Sequence, residues 1–370
     1  MGINDIIILI VVGFMCVGAL DKCIGNKMGL GDRFTDGFMA MGTLTLAMVG
    51  IISLSPVIAG LLTPIVAPVY HLIGADPASF ANTILAIDMG GYSLAQEMSV
   101  SEESELFSWV FLGTMMGPTI VFTIPVALGI IEKEDQPYFA KGILVGLITV
   151  PLGCLIGGLT GGLGLVMILK NLLPAILFSA LIAIGLWKKP GQMIYGFSIF
   201  GKFIEIVAIV GLAAIIVETL TGITVIENML PISEGIQIIG MIAIFLAGAF
   251  PMVAFISKAF KKPLEKFGSA LGISNTSTTG LVASLAHAIP MLVLVKEMEP
   301  RGKVINIAFA VSGAFVFGSH LGFVAGINRE IAFAMIVGKL AGGISAVLLA
   351  ILLLPKTETE INKRSDTVHV

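Results

Sequence analysis

Charge is scarce in this sequence. Asp, Glu, Lys and Arg together make up 12% of its 370 residues, against about a quarter in an ordinary soluble domain. A water-soluble globular fold is therefore excluded. Strand-like alternation of apolar and polar residues is missing, which argues against an outer-membrane barrel. Cysteine is rare: Cys16, Cys23 and Cys154 are an odd number without metal-type spacing, so neither a disulfide framework nor a metal site is implied. No H-E-x-x-H, aspartate-rich diphosphate motif, G-x-S-x-G or P-loop occurs, which weakens an enzymatic reading and excludes an ATP-driven pump for this chain alone. No cofactor is expected. No basic, aromatic-interleaved surface points to nucleic acid. The first apolar run, Ile6 to Leu20, has neither a basic n-region nor a small-residue cleavage site, and reads as a retained helix.

What is present is apolar surface. Hydrophobic residues are 56% of the chain and mean hydropathy is +1.03. Runs of roughly 20 apolar residues, each long enough to cross a bilayer as a helix, recur from end to end. The fold class is an all-α polytopic membrane protein. Spans are expected at 4–20 and 37–56, then an uncharged helical piece at 58–74 and an apolar segment at 77–98. An acidic loop at 99–105 precedes a long run, 106–131, interrupted by Gly117-Pro118. Further spans are expected at 138–160, 164–187, 202–221 and 235–257. A basic amphipathic piece at 258–272, apolar runs at 275–298 and 304–327, and a last span at 331–354 follow. The polar tail at 356–370 is expected to be disordered.

The chain repeats itself. Leu85-Ala86 through Glu97-Met98 aligns with Leu285-Ala286 through Glu297-Met298 at an offset of 200. The same offset pairs Gly113 with Gly313 and Pro118-Thr119 with Gly318-Ser319. With small gaps, Gly74 meets Gly272, Pro64 meets Pro263 and Pro56 meets Pro251. Internal repeats decide architecture. The expected units are a first repeat over 1–162, a linking helix and cytoplasmic loop over 163–197, a second repeat over 198–355 and the tail.

Lys and Arg in short loops set the orientation. Lys22, Lys27 and Arg33 place the first loop inside, as do Lys133 and Lys141, Lys188, Lys189 and Lys202, Lys258 to Lys266, and Lys296 to Lys303. The loops 99–105 and 221–234 carry no Lys or Arg and belong outside. The N-terminus then lies outside and the C-terminus in the cytoplasm. These placements agree only if 77–98 enters and leaves on the outside and 275–298 enters and leaves on the inside. Each would be a re-entrant hairpin, whose half-helices of about nine residues rise about 13 Å, near the midplane of a core about 30 Å thick. The two repeats are then inverted, an arrangement found in secondary transporters.

Four breaks fall near mid-depth on this topology. They are Asp88-Met89-Gly90-Gly91 and His287-Ala288-Ile289-Pro290 at the hairpin tips, and Gly117-Pro118-Thr119 and Gly318-Ser319-His320 in the long runs. A carboxylate at membrane depth is costly and usually faces a cavity or partner. Broken backbone supplies further polar groups. Asp88, Gly90, Thr119, His287, Ser319 and His320 are the candidate substrate-binding residues, and they suit a small cation that also carries hydrogen-bonding groups. Blander readings stand beside this one. Gly-Pro is often a simple kink, His287 could merely satisfy a neighbouring carbonyl, and Asp88 could be a structural partner of Lys339. Glu97, Glu297, Glu205, His71 and His369 sit at interfaces, helix starts or the tail.

Several stretches resemble the ethanolamine-utilisation permease family (EutH). They are Met39-Ala40-Met41-Gly42, the Asp88 run, Gly113-Thr-Met-Met-Gly-Pro-Thr-Ile-Val-Phe122, Ile124-Pro-Val-Ala-Leu-Gly-Ile-Ile-Glu132, Arg301-Gly-Lys-Val-Ile-Asn306 and His320-Leu-Gly-Phe323. The resemblance implies a bacterial inner-membrane permease that brings ethanolamine into the cell. The substrate comes from the resemblance; composition and topology indicate only a transporter of a small polar solute. Ethanolamine at neutral pH is mainly an ammonium with a hydroxyl two carbons away. It would place the ammonium on Asp88 or an aromatic face and the hydroxyl on Thr119, Ser319 or His320. The expected mechanism is alternating access, with the spans at 4–20, 164–187 and 202–221 as scaffold and possible homodimer contact. An intramembrane enzyme acting on an ethanolamine-containing lipid headgroup and a passive channel are the alternatives. Coupling to protons or sodium stays open; His287 and His320 are able to titrate.

Overall fold

The computed structural model describes residues 2–354, so the tail expected at 356–370 lies outside the described residues. Among the described residues there are helices and no strands, and eight helices are long and apolar enough to cross a membrane. The first, α1 (Ile3–Cys23), begins with the Asp5 carboxylate accepting the Gly2 N–H at 2.8 Å. The second, α2 (Leu30–Leu72), is one helix of 43 residues. The expected division into 37–56 and 58–74 is not seen. Pro56, Pro64 and Pro68 lie inside the helix, each removing a single backbone bond. At 1.5 Å per residue α2 is about 64 Å long, twice the thickness of a bilayer core. Beyond Pro56 it leaves Leu61, Ile65, Val69 and Leu72 exposed at helical spacing, a single apolar stripe.

The segment 77–98 is two short helices, α3 (Ala78–Ile84) and α4 (Tyr92–Met98), packed against each other. Between them Leu85 and Ala86 are extended and Gly90 has φ +84°. The glycine is required there: a Cβ would strike Ile51 Cγ2 at 2.0 Å. The long run is continuous helix, α5 (Glu102–Ile130). The expected interruption at Gly117-Pro118 is instead a widened π-type turn over Thr119–Thr123, with another over Ser108–Leu112. The extra residue per turn accommodates the missing N–H of Pro118 without unwinding the chain.

Next come α6 (Gln136–Thr160), α7 (Leu165–Lys188), α8 (Pro190–Thr221) and α9 (Ile232–Ala259). A separate α10 (Lys261–Ala270) follows, so the long-helix-plus-short-helix pattern is broken here where α2 is continuous. The segment 275–298 is again two packed helices, α11 (Asn275–Ala286) and α12 (Ala288–Leu294), divided by an extended His287. The last run is broken outright into α13 (Pro300–Gly313) and α14 (Ser319–Ile327), and α15 (Ala332–Leu353) closes the described chain.

Each helix pair is closed at its base by a carboxylate. Asp76 accepts the N–H groups of Ala78, Val100 and Ser101 at 2.9–3.1 Å. Glu299 accepts from Ser274 N–H at 3.0 Å and Ser277 Oγ at 2.9 Å. In the first pair the acid stands before the helices, and in the second after them. The largest packings join α2 to α9 and α6 to α15. The second joint is built on two G-x-x-x-G stretches, Gly153 to Gly157 and Gly338 to Gly342. A Cβ on Gly153 would meet Gly338 O at 2.8 Å, and one on Gly338 would meet Gly153 O at 2.9 Å. Small residues bring backbones close where no hydrophobic effect drives helices together. Helix α7, expected to belong to a scaffold, is tied to the first pair through buried Asn171. Its Oδ1 accepts from Asp76 N–H and Ser79 Oγ, both at 2.8 Å, and its Nδ2 donates to Ser104 Oγ at 3.2 Å.

Candidate functional site

The break in the first helix pair and the break between α13 and α14 meet. Gly117 of α5 presses on the first break: a Cβ there would lie 2.0 Å from Leu85 O. Gly318, at the start of α14, does the same to the break in the second helix pair, where a Cβ would lie 1.9 Å from Ala286 O. Beyond the end of α13 the chain turns at Phe315, whose φ is +62°, an uncommon value for a bulky side chain. It is held there by the N–H of Phe315 donating to Ser284 O and that of Phe317 donating to Leu285 O, both at 2.9 Å. The turn delivers Ser319 and His320 to the start of α14.

Between these breaks lies a cavity of about 380 Å³, within the range of ligand sites, lined by Asp88, Met89, Pro118, Phe122, His287, Phe315, Ser319 and His320. Its far wall is one face of α2, formed by Ala40, Thr43, Leu44 and Ala47, with Leu246 and Phe250 of α9. Four of the six sequence candidates are thus together: Asp88, His287, Ser319 and His320. Ser319 Oγ donates to Asp88 Oδ2 at 3.2 Å. His320 is buried, and its Nδ1 has no hydrogen-bond partner. His287 Nδ1 accepts the N–H of Ile289 at 3.2 Å, capping α12, so its other nitrogen is the one able to serve a ligand.

The remaining two candidates are elsewhere. Thr119 is fully buried and its Oγ1 donates to Met115 O at 2.9 Å. Thr119 is not among the residues that line the cavity, although the adjacent Pro118 is. Gly90 shapes the turn and packs on Ile51. Asp88 and Lys339 make no salt bridge; the lysine instead donates to Thr114 O at 2.5 Å.

The aromatic wall went unread in the sequence. The Phe315 ring lies 4.9 Å from both the His287 and His320 rings and 5.6 Å from Phe122, centroid to centroid. Phe122 falls one helical turn after Pro118, a spacing that could have placed it on the cavity face. Nothing in the sequence announces the left-handed turn that brings Phe315 inward. One carboxylate, the hydroxyls of Ser319 and Thr43, two imidazoles and aromatic edges and faces can hold a small organic cation and its hydroxyl. Among the described residues no three His, Cys, Asp or Glu side chains gather to hold a metal ion.

Fold and cavity define the class: an all-α, multi-pass integral membrane protein with a small polar cavity where broken helices meet. The particular family follows from sequence. Residues 3–353 match the profile of the family described as ethanolamine utilisation protein, EutH, and the chain belongs to that family. It is 62% identical over 369 residues to an uncharacterized protein, YxeR, of Bacillus subtilis strain 168, covering all of both chains. It is 58% identical over 351 residues to a probable ethanolamine permease EutH of Listeria monocytogenes serotype 1/2a strain 10403S, covering 95% of this chain and 94% of the relative. With the probable ethanolamine permease EutH of Escherichia coli K12 it shares 44% over 401 residues, 98% of each chain. No solved structure matches. The Listeria and Escherichia relatives are bacterial proteins named as probable permeases, and this chain is a multi-pass bacterial membrane protein.

Proposed function

We propose that the protein carries ethanolamine across the bacterial inner membrane into the cell, binding it in the cavity between the two pairs of short helices. The observation that carries this reading is the Asp88 carboxylate facing that cavity, 3.2 Å from Ser319 Oγ. Asp88 takes the ammonium, with the Phe122 and Phe315 rings beside it. Ser319, His320 and His287 take the hydroxyl. The names of the Listeria and Escherichia relatives, both probable ethanolamine permeases, support the substrate.

The two halves, 1–162 and 198–355, act as inverted repeats joined by 163–197, and the short-helix pairs act as hairpins from opposite faces. Three observations support this. Both pairs follow a left-handed glycine, Gly74 at φ +70° and Gly272 at φ +69°. Each has a carboxylate clamp at its base, and in each a glycine of the next long run rests on the break. The access mechanism alternates, with the hairpins moving against α1, α8 and the long helices α2 and α9. Helix α7 moves with the first hairpin because Asn171 ties them together. The N-terminus lies outside and the C-terminus in the cytoplasm. A homodimer through the outer faces of the scaffold completes the proposal; the mass of the detergent-solubilised particle tests it.

Uptake of labelled ethanolamine into proteoliposomes tests the function. Saturable uptake is expected, competed by unlabelled ethanolamine. Linear, non-saturable flux would indicate a channel, and release of ethanolamine from labelled lipid an enzyme.

A further inference from the structure

Lys339 is buried in the middle of α15, within the glycine-rich stretch packed on α6. Its ammonium donates to one backbone carbonyl, Thr114 O, at 2.5 Å, and makes no salt bridge among the described residues. That carbonyl is not an arbitrary one. In an unbroken α-helix Thr114 O would accept the N–H of residue 118, and residue 118 is a proline, which has none. The lysine therefore occupies the acceptor that Pro118 leaves open, and Pro118 lines the cavity. Thr114 lies beside the first hairpin turn: a Cβ on its neighbour Gly113 would stand 3.4 Å from the Cβ of Ile87, the residue before Asp88, while Cys154 and His320 sit on α6 and α14, both packed on α15. On α13 the neighbouring polar group is the Ser312 hydroxyl, which lies against Gly342. Asp88 is the single carboxylate in this set. A lysine ammonium with one neutral acceptor is poorly supported inside a bilayer, so its charge depends on that carboxylate.

We propose that Lys339 is the resident cation balancing Asp88 in the empty site and that it gives up its proton when an organic ammonium docks on Asp88. The inference rests on the reading of Asp88 as the ammonium ligand. Two cations cannot share one buried carboxylate without mutual repulsion, so the arrival of the second favours neutrality of the first. The N–H bond that breaks is one of the three on Lys339 Nζ. The nitrogen keeps the electron pair, the proton passes to water, and the buried charge is unchanged: one ammonium in, one proton out. Lys339 does not touch the substrate; it couples binding to protons.

The test uses the full chain in detergent, titrated calorimetrically with ethanolamine in buffers of contrasting ionisation enthalpy. Wild type is expected to release about one proton per ethanolamine near pH 7, and its affinity to rise about tenfold per pH unit, the slope of a one-proton release. Lys339→Met, verified as a monodisperse particle, should bind with no proton release and a flat pH profile. Lys339→Arg, whose charge cannot be surrendered, should bind at least about tenfold more weakly. Wild type releasing no proton, or Lys339→Met releasing as many as wild type, overturns the inference without recourse to any other variant. Asp88→Asn separates the two claims. If it abolishes binding while Lys339→Met still releases the proton, the functional reading stands and this inference falls. If Asp88→Asn binds normally, the functional reading itself falls.

Discussion

Ser319 Oγ donates to Asp88 Oδ2 at 3.2 Å across a sequence separation of 231 residues. The bond joins the turn of the first short-helix pair to the start of α14, and it marks where the two halves of the chain meet around the cavity. A hydroxyl that donates to the carboxylate keeps one carboxylate oxygen engaged and leaves the other for a ligand.

Asp88→Asn should abolish the charge-assisted contact with the substrate ammonium. Such bonds contribute about 1.5–3 kcal/mol, so the KM for ethanolamine uptake into proteoliposomes should rise by roughly ten- to a hundredfold. An unchanged KM would remove Asp88 from the site.

Ser319→Ala should raise KM by a smaller factor, about five- to tenfold, because the carboxylate loses an orienting donor but keeps its charge. Ser319→Thr retains the hydroxyl and should restore most of the affinity. Equal impairment of both variants would point to packing instead of the hydrogen bond.

Phe315 provides a test of backbone strain. Its ring is nearly buried against His287, His320 and Phe122, so Phe315→Ala should cost about 3–5 kcal/mol in denaturation of the detergent-solubilised protein. Glycine loses the same ring but tolerates φ +62° without the left-handed penalty of about 1 kcal/mol. Phe315→Gly should therefore be more stable than Phe315→Ala, the reverse of the order in a helix. If alanine proves better, the left-handed turn is wrong.

Two glycines of α2 should respond oppositely to alanine. At Gly50 a Cβ would meet Ala208 O of α8 at 1.8 Å, so Gly50→Ala should destabilise by about 1–3 kcal/mol or more. At Gly42 a Cβ meets nothing within 4 Å. Gly42→Ala should leave thermal stability unchanged or slightly raised. Comparable losses at both positions would mean that α2 and α8 are not packed as described.

Glu299 gives a pH dependence outside the membrane-spanning helices. Burial works against its charge, but hydrogen bonds from Ser274 and Ser277 outweigh burial and hold the carboxyl below the usual 4.5. A depressed carboxyl contributes stability above its unfolded value and loses that contribution as pH falls through the folded one. Amide exchange across 274–277 should accelerate as pH is lowered below about 4.5, relative to Glu299→Gln, whose exchange follows only the intrinsic rate. Parallel pH profiles for the two proteins would exclude the clamp.

Much of the cavity lining was legible because its cues are chemical and local. Asp88, His287, Ser319 and His320 stand out as polar groups beside glycine or proline in apolar runs, and all four line the cavity. Thr119 lies outside that lining for a geometric reason. Its position after Gly-Pro suggested a break, but the helix absorbs the proline with a π-type turn, and the hydroxyl satisfies its own backbone. Phe315 and the apolar α2 residues Ala40, Leu44 and Ala47 carried no cue, since apolar residues in an apolar background do not reveal which face they present. The single 43-residue α2 was hidden because prolines that end helices in water are tolerated within membrane helices.

The sequence by itself determined the class of protein, since a chain with so little charge and so many long apolar runs can satisfy its backbone only as bilayer-spanning helices. It also determined the family and the places where those helices must yield. Tertiary structure decided which of the polar breaks face one another. That choice depends on glycine contacts between remote segments, Gly117 on Leu85 and Gly318 on Ala286, and on a left-handed turn at Phe315, none of which any local pattern encodes. It also decided that Lys339 closes the carbonyl opened by Pro118 and forms no ion pair with Asp88, because helix packing sets where a long side chain can reach.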